Sequence, residues 1–176
     1  MQQMNMNQYK NRSLVLVRYA LIVFAAVWFS SCQTMPKFSE IGRVVPPEKR
    51  ISLTHGGTQE GQWTTPDLTL AYRYEETGNR FTISGTVYFA DALQTGFGTL
   101  DRFFLKVVLV NGTGTTLVSQ SLLTAGYRSP MGRLIFKRSI SLPTDTAAMA
   151  FGYSGKASDG VSGDDGINWH FGKTPF

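Results

Sequence analysis

The sequence predicts an all-β fold built as a single antiparallel β-sandwich, and three observations support this prediction. Segments that alternate apolar and polar residues recur between residues 68 and 171, as is typical of half-buried strands. The chain contains 18 glycines and 7 prolines, and turn residues separate the alternating segments. Charged helical patterns are scarce. About seven to eight short strands at this spacing favour a sandwich.

The first predicted strands form two hairpins. Residues 68–74 and 81–89 alternate on either side of a Gly-Asn turn, which indicates an antiparallel pair. Residues 103–110 are apolar on both faces except at Lys106, which suits a central strand. The turn sequence Asn-Gly-Thr-Gly follows, and residues 115–123 are expected to pair back.

Three further strands are expected. Residues 134–142 alternate, although Arg138 falls on the nominally apolar face. Residues 148–154 place Met, Phe and Tyr on one face, and residues 167–171 suit a final strand. The stretch 145–151, Asp-Thr-Ala-Ala-Met-Ala-Phe, resembles the Asp-Thr-Ala entry to a late strand of immunoglobulin domains. That family has its corner tyrosine and its cysteine where this chain has Met and Phe. The resemblance implies an immunoglobulin-like sandwich.

The amino-terminal part of the chain has the composition of a targeting segment. Its first 18 residues contain three basic residues and no acid, and residues 19–29 are all apolar or aromatic. Eleven helical residues rise about 16 Å, short of the roughly 30 Å hydrocarbon core of a bilayer. The small residues Ser30 and Ser31 then precede Cys32, which is the only cysteine. This order suits a cleaved signal peptide.

The segment Phe29-Ser30-Ser31-Cys32 resembles the lipobox of bacterial lipoproteins, with Phe29 where that family usually has leucine. The resemblance implies cleavage before Cys32, lipid on its sulfur and an acyl chain on its new amino group. In enteric-type lipoproteins an aspartate directly after the cysteine favours retention in the inner membrane. This chain has Gln33 at that position, so the resemblance implies the outer membrane, on its periplasmic side or at the cell surface. An uncleaved anchor and ordinary secretion are the alternatives.

Three regions follow from these patterns: a cleaved signal peptide at 1–31, a lipidated flexible tether at 32–50 and a β-sandwich domain at 51–176. Prolines and scattered charges favour a solvated tether, and the alternative is an edge strand at 42–45. The chain has 17 basic and 12 acidic residues, a net charge of +5, and three of the basic residues lie in the signal. The basicity therefore belongs largely to targeting, and no nucleic-acid partner is expected.

No catalytic or metal-binding motif is predicted. His55 and His170 lack a second metal ligand at a suitable spacing. The run 152–156 misses the nucleophile elbow G-x-S-x-G because Lys156 stands in place of the last glycine. Residues 159–166 contain three aspartates, but their spacing fits no calcium loop and favours turns. We expect no enzyme activity and no cofactor.

Two long connections are the candidate contact surfaces. Residues 91–99 form a glycine-rich loop whose Phe97 either protrudes or plugs the end of the sandwich. The second loop, 125–133, contains residue types that are enriched at protein interfaces. The candidate contact residues are Phe97, Tyr127, Arg128, Met131 and Arg133. The expected function is a non-catalytic structural or protein-interaction module that contacts another envelope protein. The alternative is a ligand-binding lipoprotein that holds a glycan or lipid at the loop end.

Overall fold

The computed structural model describes residues 40–159 and 166–176. The predicted signal peptide, Cys32 and the first part of the predicted tether lie outside the described residues. So does most of the aspartate-rich stretch at 159–166. The described residues form a β-sandwich of two antiparallel sheets with one short α-helix, which confirms the predicted fold class.

The strands and helices have the following bounds. They are a 3-10 helix at Pro47–Lys49, β1 at Ile51–Ser52, β2 at Thr58–Thr64, β3 at Leu68–Thr77, β4 at Arg80–Phe89, α1 at Asp91–Phe97, β5 at Thr99–Val110, β6 at Thr116–Ala125, β7 at Leu134–Ser141, β8 at Ala148–Ser158 and β9 at Asn168–Lys173. All seven strands expected from the sequence are present in this set.

The sandwich consists of a four-stranded and a five-stranded sheet. One sheet has the order β2-β3-β4-β7. In the five-stranded sheet, β5 lies between β6 and β8, and β6 forms one edge. The other side of β8 pairs with both β1 and β9. The connections after β1, β4, β6 and β7 cross between the sheets. The five-stranded sheet therefore has its most apolar strands, β5 and β8, at its centre.

Strand β2 was not expected, and its sequence explains why. Its half-buried positions hold Gln59, Gly61 and Trp63, so Trp63 is the only large apolar residue among them. The ring of Tyr72 on β3 occupies the space beside Gly61, where an added Cβ would lie 2.4 Å from the Tyr72 hydroxyl. The neighbouring strand therefore supplies the apolar surface that β2 lacks.

The prediction of a loop at residues 91–99 is wrong, because residues Asp91–Phe97 form helix α1. Leu93 is buried in the core, and its N–H and that of Gln94 donate to the carbonyl of Ala90 at 3.0 and 3.1 Å. Gly98 ends the helix with a φ of 59°, a conformation that glycine adopts at little cost. Packing of Leu93 stabilises a turn that propensity alone does not indicate.

The prediction of a flexible tether is wrong for residues 40–50, which we call the N-terminal segment. The N–H groups of Gly42 and Val45 donate to the carbonyls of Thr116 and Gly114, both at 2.9 Å. Val45 is fully buried in a small apolar cluster on the outer face of the five-stranded sheet. The alternative of an edge strand at 42–45 describes the pairing better. The reason is that β5 is apolar on both faces and its outer face requires a cover.

The main core lies between the inner faces of the two sheets and is rich in aromatic rings. Phe103 lies 5.2 Å from Phe89 and 6.2 Å from both Tyr153 and Phe171, measured between ring centroids. Arg138, the exception on the apolar face of β7, is exposed. Its Nε donates to the carbonyl of Leu122 on β6 at 3.1 Å. Arg138 thus provides a hydrogen-bond donor for a carbonyl of the edge strand β6, where β6 and β7 approach each other.

Candidate functional site

One end of the five-stranded sheet has a concentration of exposed apolar side chains, which we call the aromatic end. It comprises the exposed residues Tyr127, Ile167 and Trp169 and the half-buried Phe97. The side chains of Tyr127, Ile167 and Trp169 are 71%, 63% and 50% exposed. The rings of Phe97 and Trp169 stack with a centroid distance of 6.1 Å and an angle of 23°. An exposed apolar surface of this kind is typical of an interaction site.

Backbone pairing holds these residues at the same end. Leu100 and Arg128 exchange two backbone hydrogen bonds, of 2.9 and 2.8 Å, which attach the loop after β6 to the start of β5. Across the sheet Leu100 pairs with Ala157, and Ala157 pairs with Trp169. The loop after β6 and the start of β9 therefore lie at the same end of the five-stranded sheet, and the end of α1 joins them through the stacking of Phe97 on Trp169.

The structure distributes the predicted contact residues between surface and core. Tyr127, Arg128 and Arg133 are exposed. Phe97 is half-buried and packs against the core, as expected if it plugs the end of the sandwich. Met131 is buried with 2% exposure, so its selection as a contact residue is corrected. Residue composition suggested a surface methionine, but its side chain fills the core beneath the loop.

Sequence analysis missed Ile167 and Trp169 as surface residues. Both lay in or beside the expected final strand, where alternation places aromatic side chains in the core. Trp169 is on the inward-facing side of β9, but β9 lies at the edge of the sheet and Trp169 near its end. Phe171, two residues further along the same strand, is buried, so the position of Trp169 near the start of β9 distinguishes the two rings.

A second candidate site is a groove of about 670 Å³ on the outer face of the five-stranded sheet. We call it the sheet groove, and its lining includes Phe104, Lys106, Ser121, Ser154 and Thr174. The ring of Phe104 is 45% exposed, and the hydroxyl groups supply hydrogen-bonding atoms. The groove is on a sheet face and not at the loop end, where sequence analysis placed the alternative ligand site.

Glu40 forms one boundary of the sheet groove. Its carboxylate accepts a hydrogen bond from the Lys106 ammonium group and another, of 2.5 Å, from the hydroxyl of Ser119. Burial alone raises the pKa of Glu40. The hydrogen bonds from Lys106 and Ser119 and the charges of Lys106 and Arg43 outweigh burial, so the pKa lies below its usual value of 4.5. The ion pair fixes the start of the N-terminal segment on the sheet.

This ion pair predicts a pH-dependent stability difference. The lowered pKa of Glu40 stabilises the folded state above the unfolded-state value near 4.5, and the stabilisation disappears as the pH falls through the folded-state pKa. The free energies of unfolding of the native chain and of Glu40→Gln, measured in urea, should therefore differ at neutral pH and become equal in acid. A stability difference that stayed constant down to low pH would contradict the ion pair.

Two polar groups outside these surfaces have structural partners. The Tyr153 hydroxyl lies 2.5 Å from Asp67 Oδ2, to which it donates, and 2.9 Å from the hydroxyl of Thr65. Burial, with a further contribution from the bond to Asp67, raises the pKa of Tyr153. His55 was expected to be solitary, but its Nδ1 lies 2.8 Å from Glu76 Oε2. Tyr153 thus ties β8 to the turn between β2 and β3.

Among residues 40–159 and 166–176, no group of three or more His, Cys, Asp or Glu side chains is arranged to hold a metal ion. No helix within those ranges is long and apolar enough to span a membrane. Comparison of the chain with protein-family models, with curated proteins and with solved structures finds no match.

Proposed function

We propose that this protein is a lipid-anchored component of the bacterial envelope and acts as a non-catalytic structural or protein-interaction module. Cys32 bears the lipid in this proposal, and the outer membrane is the site of anchoring. The support comes from the targeting pattern at residues 1–32 and from the attachment of Glu40 and Gly42, eight and ten residues after Cys32, to the sandwich. The anchor and the folded domain are therefore close in sequence.

The aromatic end is the observation that carries the interaction proposal. Tyrosine, tryptophan and arginine are the residue types that most often dominate binding energy at interfaces. Tyr127 and Trp169 are exposed there beside Arg128 and Arg133. Along β5, eight residues separate Leu100 at this end from Val108 beneath the N-terminal segment, about 26 Å at the rise of a strand. The surface is thus well separated from the N-terminal segment.

The sheet groove favours a second candidate function, a lipoprotein that binds a small ligand such as a glycan. Its volume of about 670 Å³ falls within the range of roughly 300–1,000 Å³ for ligand sites. Phe104 offers an apolar surface for the non-polar side of a sugar ring, and the serine and threonine hydroxyls offer hydrogen bonds. Substitutions distinguish the two candidate functions. Changes at the aromatic end should impair the first function, and changes in the sheet groove should impair the second.

The anchor is tested by Cys32→Ser. We expect the variant to lose incorporation of a fatty-acid analogue and to accumulate as an uncleaved precursor, because the acyl groups have no sulfur to join. The measurement is metabolic labelling followed by gel mobility, with the native chain as the reference. Acyl label that remained on the variant would exclude Cys32 as the modified residue.

The interaction surface is tested by Trp169→Ala and Tyr127→Ala. Each should reduce crosslinking to an envelope partner in intact cells by about tenfold or more, since a hot-spot residue contributes at least about 2 kcal/mol. Ile135→Ala is the matched control, because Ile135 is an exposed apolar residue on the opposite sheet. Equal crosslinking of all three variants would remove the aromatic end as the contact surface.

A further inference from the structure

The N-terminal segment has a surface that the proposed function does not use. Ile41 and Val44 are 62% and 59% exposed, although both are large aliphatic residues. Val45 is fully buried on the sheet, and its neighbour Val44 is turned to solvent. Two exposed aliphatic side chains therefore lie within the first five described residues.

Backbone bonds hold this surface in place. The carbonyl of Arg43 accepts the N–H of Thr116 at 2.8 Å, between the two bonds made by Gly42 and Val45. The Arg50 guanidinium donates to the carbonyls of Val45 and Thr113, at 2.7 and 3.0 Å. The exposed pair thus belongs to a segment held at both ends against the sandwich.

The segment that carries the exposed pair also contains three basic residues. The Arg43 guanidinium lies 3.9 Å from the ring centroid of Phe176, and Lys49 Nζ donates to the main-chain oxygen of Phe176 at 2.6 Å. Lys106 offsets the charge of Glu40, so Glu48 is the remaining acid of this segment. Three basic residues (Arg43, Lys49 and Arg50) therefore outnumber one uncompensated acid.

We infer that this surface contacts a lipid bilayer containing anionic phospholipids, with Ile41 and Val44 at the interface and Arg43, which is exposed, beside the headgroups. The inference rests on the proposed anchor at Cys32. Eight residue steps separate Cys32 from Glu40, so the chain between them spans at most about 29 Å. Apolar side chains flanked by cations are the combination that favours contact with an anionic membrane. The anchor holds the domain by one side, and the aromatic end remains at a distance from the membrane.

The test places a fluorescent label on each side of the lipidated, processed protein in vesicles of phosphatidylcholine and phosphatidylglycerol. Because Cys32 is the only cysteine and its sulfur bears lipid in the proposal, Val44→Cys introduces a single reactive thiol. Ile135→Cys is the matched position, an exposed aliphatic residue on the outer face of the four-stranded sheet. A spin-labelled phospholipid should quench the label at position 44 strongly and the label at position 135 weakly.

A charge reversal tests this surface independently of the lipid anchor. Arg43→Glu should lower the docked-to-undocked ratio reported at position 44 by at least about fivefold, since the loss of one cation near an anionic surface costs about 1 kcal/mol and the added carboxylate is also repelled. Arg80→Glu, an exposed position on the four-stranded sheet, should leave the ratio unchanged. Both proteins should still float with the vesicles. Floating protein with equal quenching at positions 44 and 135 would overturn this inference alone, whereas protein that fails to float would overturn the anchor and this inference together.

Discussion

Replacing Phe103 by alanine is expected to lower the free energy of unfolding by about 3–5 kcal/mol, the range typical of a buried phenylalanine. Its side chain is fully buried at the centre of the aromatic core. Its ring meets that of Phe89 edge-on and stacks near that of Phe171. Removing it leaves a cavity that the surrounding rings, held by both sheets, fill poorly. Equilibrium unfolding in urea, followed by tryptophan fluorescence, measures the loss.

Phe104 is the matched control for this experiment. It is the next residue along β5, but its ring lies on the outer face in the sheet groove and is nearly half exposed. Phe104→Ala should therefore cost no more than about 1 kcal/mol, since half of the apolar area of the ring is already in water. If both substitutions cost the same, the assignment of the two faces of β5 would be wrong.

The second large effect is expected for Gly155→Ala, which should destabilise the fold by about 1–3 kcal/mol through overpacking. Gly155 on β8 lies opposite Phe171 on β9, and an added Cβ would lie 2.3 Å from Cζ of that ring. The ring contacts Phe89 and Phe103 and so has little room to move. Thermal unfolding by circular dichroism reports the change.

Gly126→Ala provides the comparison. A Cβ at this position meets no atom within 4 Å, so the stability should change by no more than about 0.5 kcal/mol.

Restoring space at position 171 is a further check. In a Phe171→Leu background, Gly155→Ala should cost less than in the native chain, because the two changes act on the same contact. Equal costs in both backgrounds would contradict the steric explanation.

Most strands were predictable from the chain because alternation is a local signal. The hairpin of β3 and β4 illustrates this, since the two alternating segments meet at a Gly-Asn turn and pair in register from Thr77 and Arg80 onward. Strand β2 was missed because a glycine stands at one of its inward positions. Its apolar cover is the ring of Tyr72, which comes from another strand.

The candidate surfaces were only partly predictable. Tyr127, Arg128 and Arg133 were selected by residue type and are exposed, whereas Met131, selected in the same way, is buried. Trp169 was missed because alternation places it on the inward side of β9. Its exposure depends on its place near the start of an edge strand, which no pattern in residues 167–171 reveals, whereas Phe171 further along the same strand is buried.

The sequence alone determined most of the strands, most of the turns and the apolar face of the alternating strands, because each property depends on neighbours in the chain. The tertiary structure decided what covers each apolar face. Val45 covers the outer face of β5 and β8, and Leu93 holds a helix where a loop was expected. Such contacts join residues far apart in the chain, and an apolar side chain gains stability wherever water is excluded. A local pattern can therefore show that a face needs a cover without showing which segment provides it.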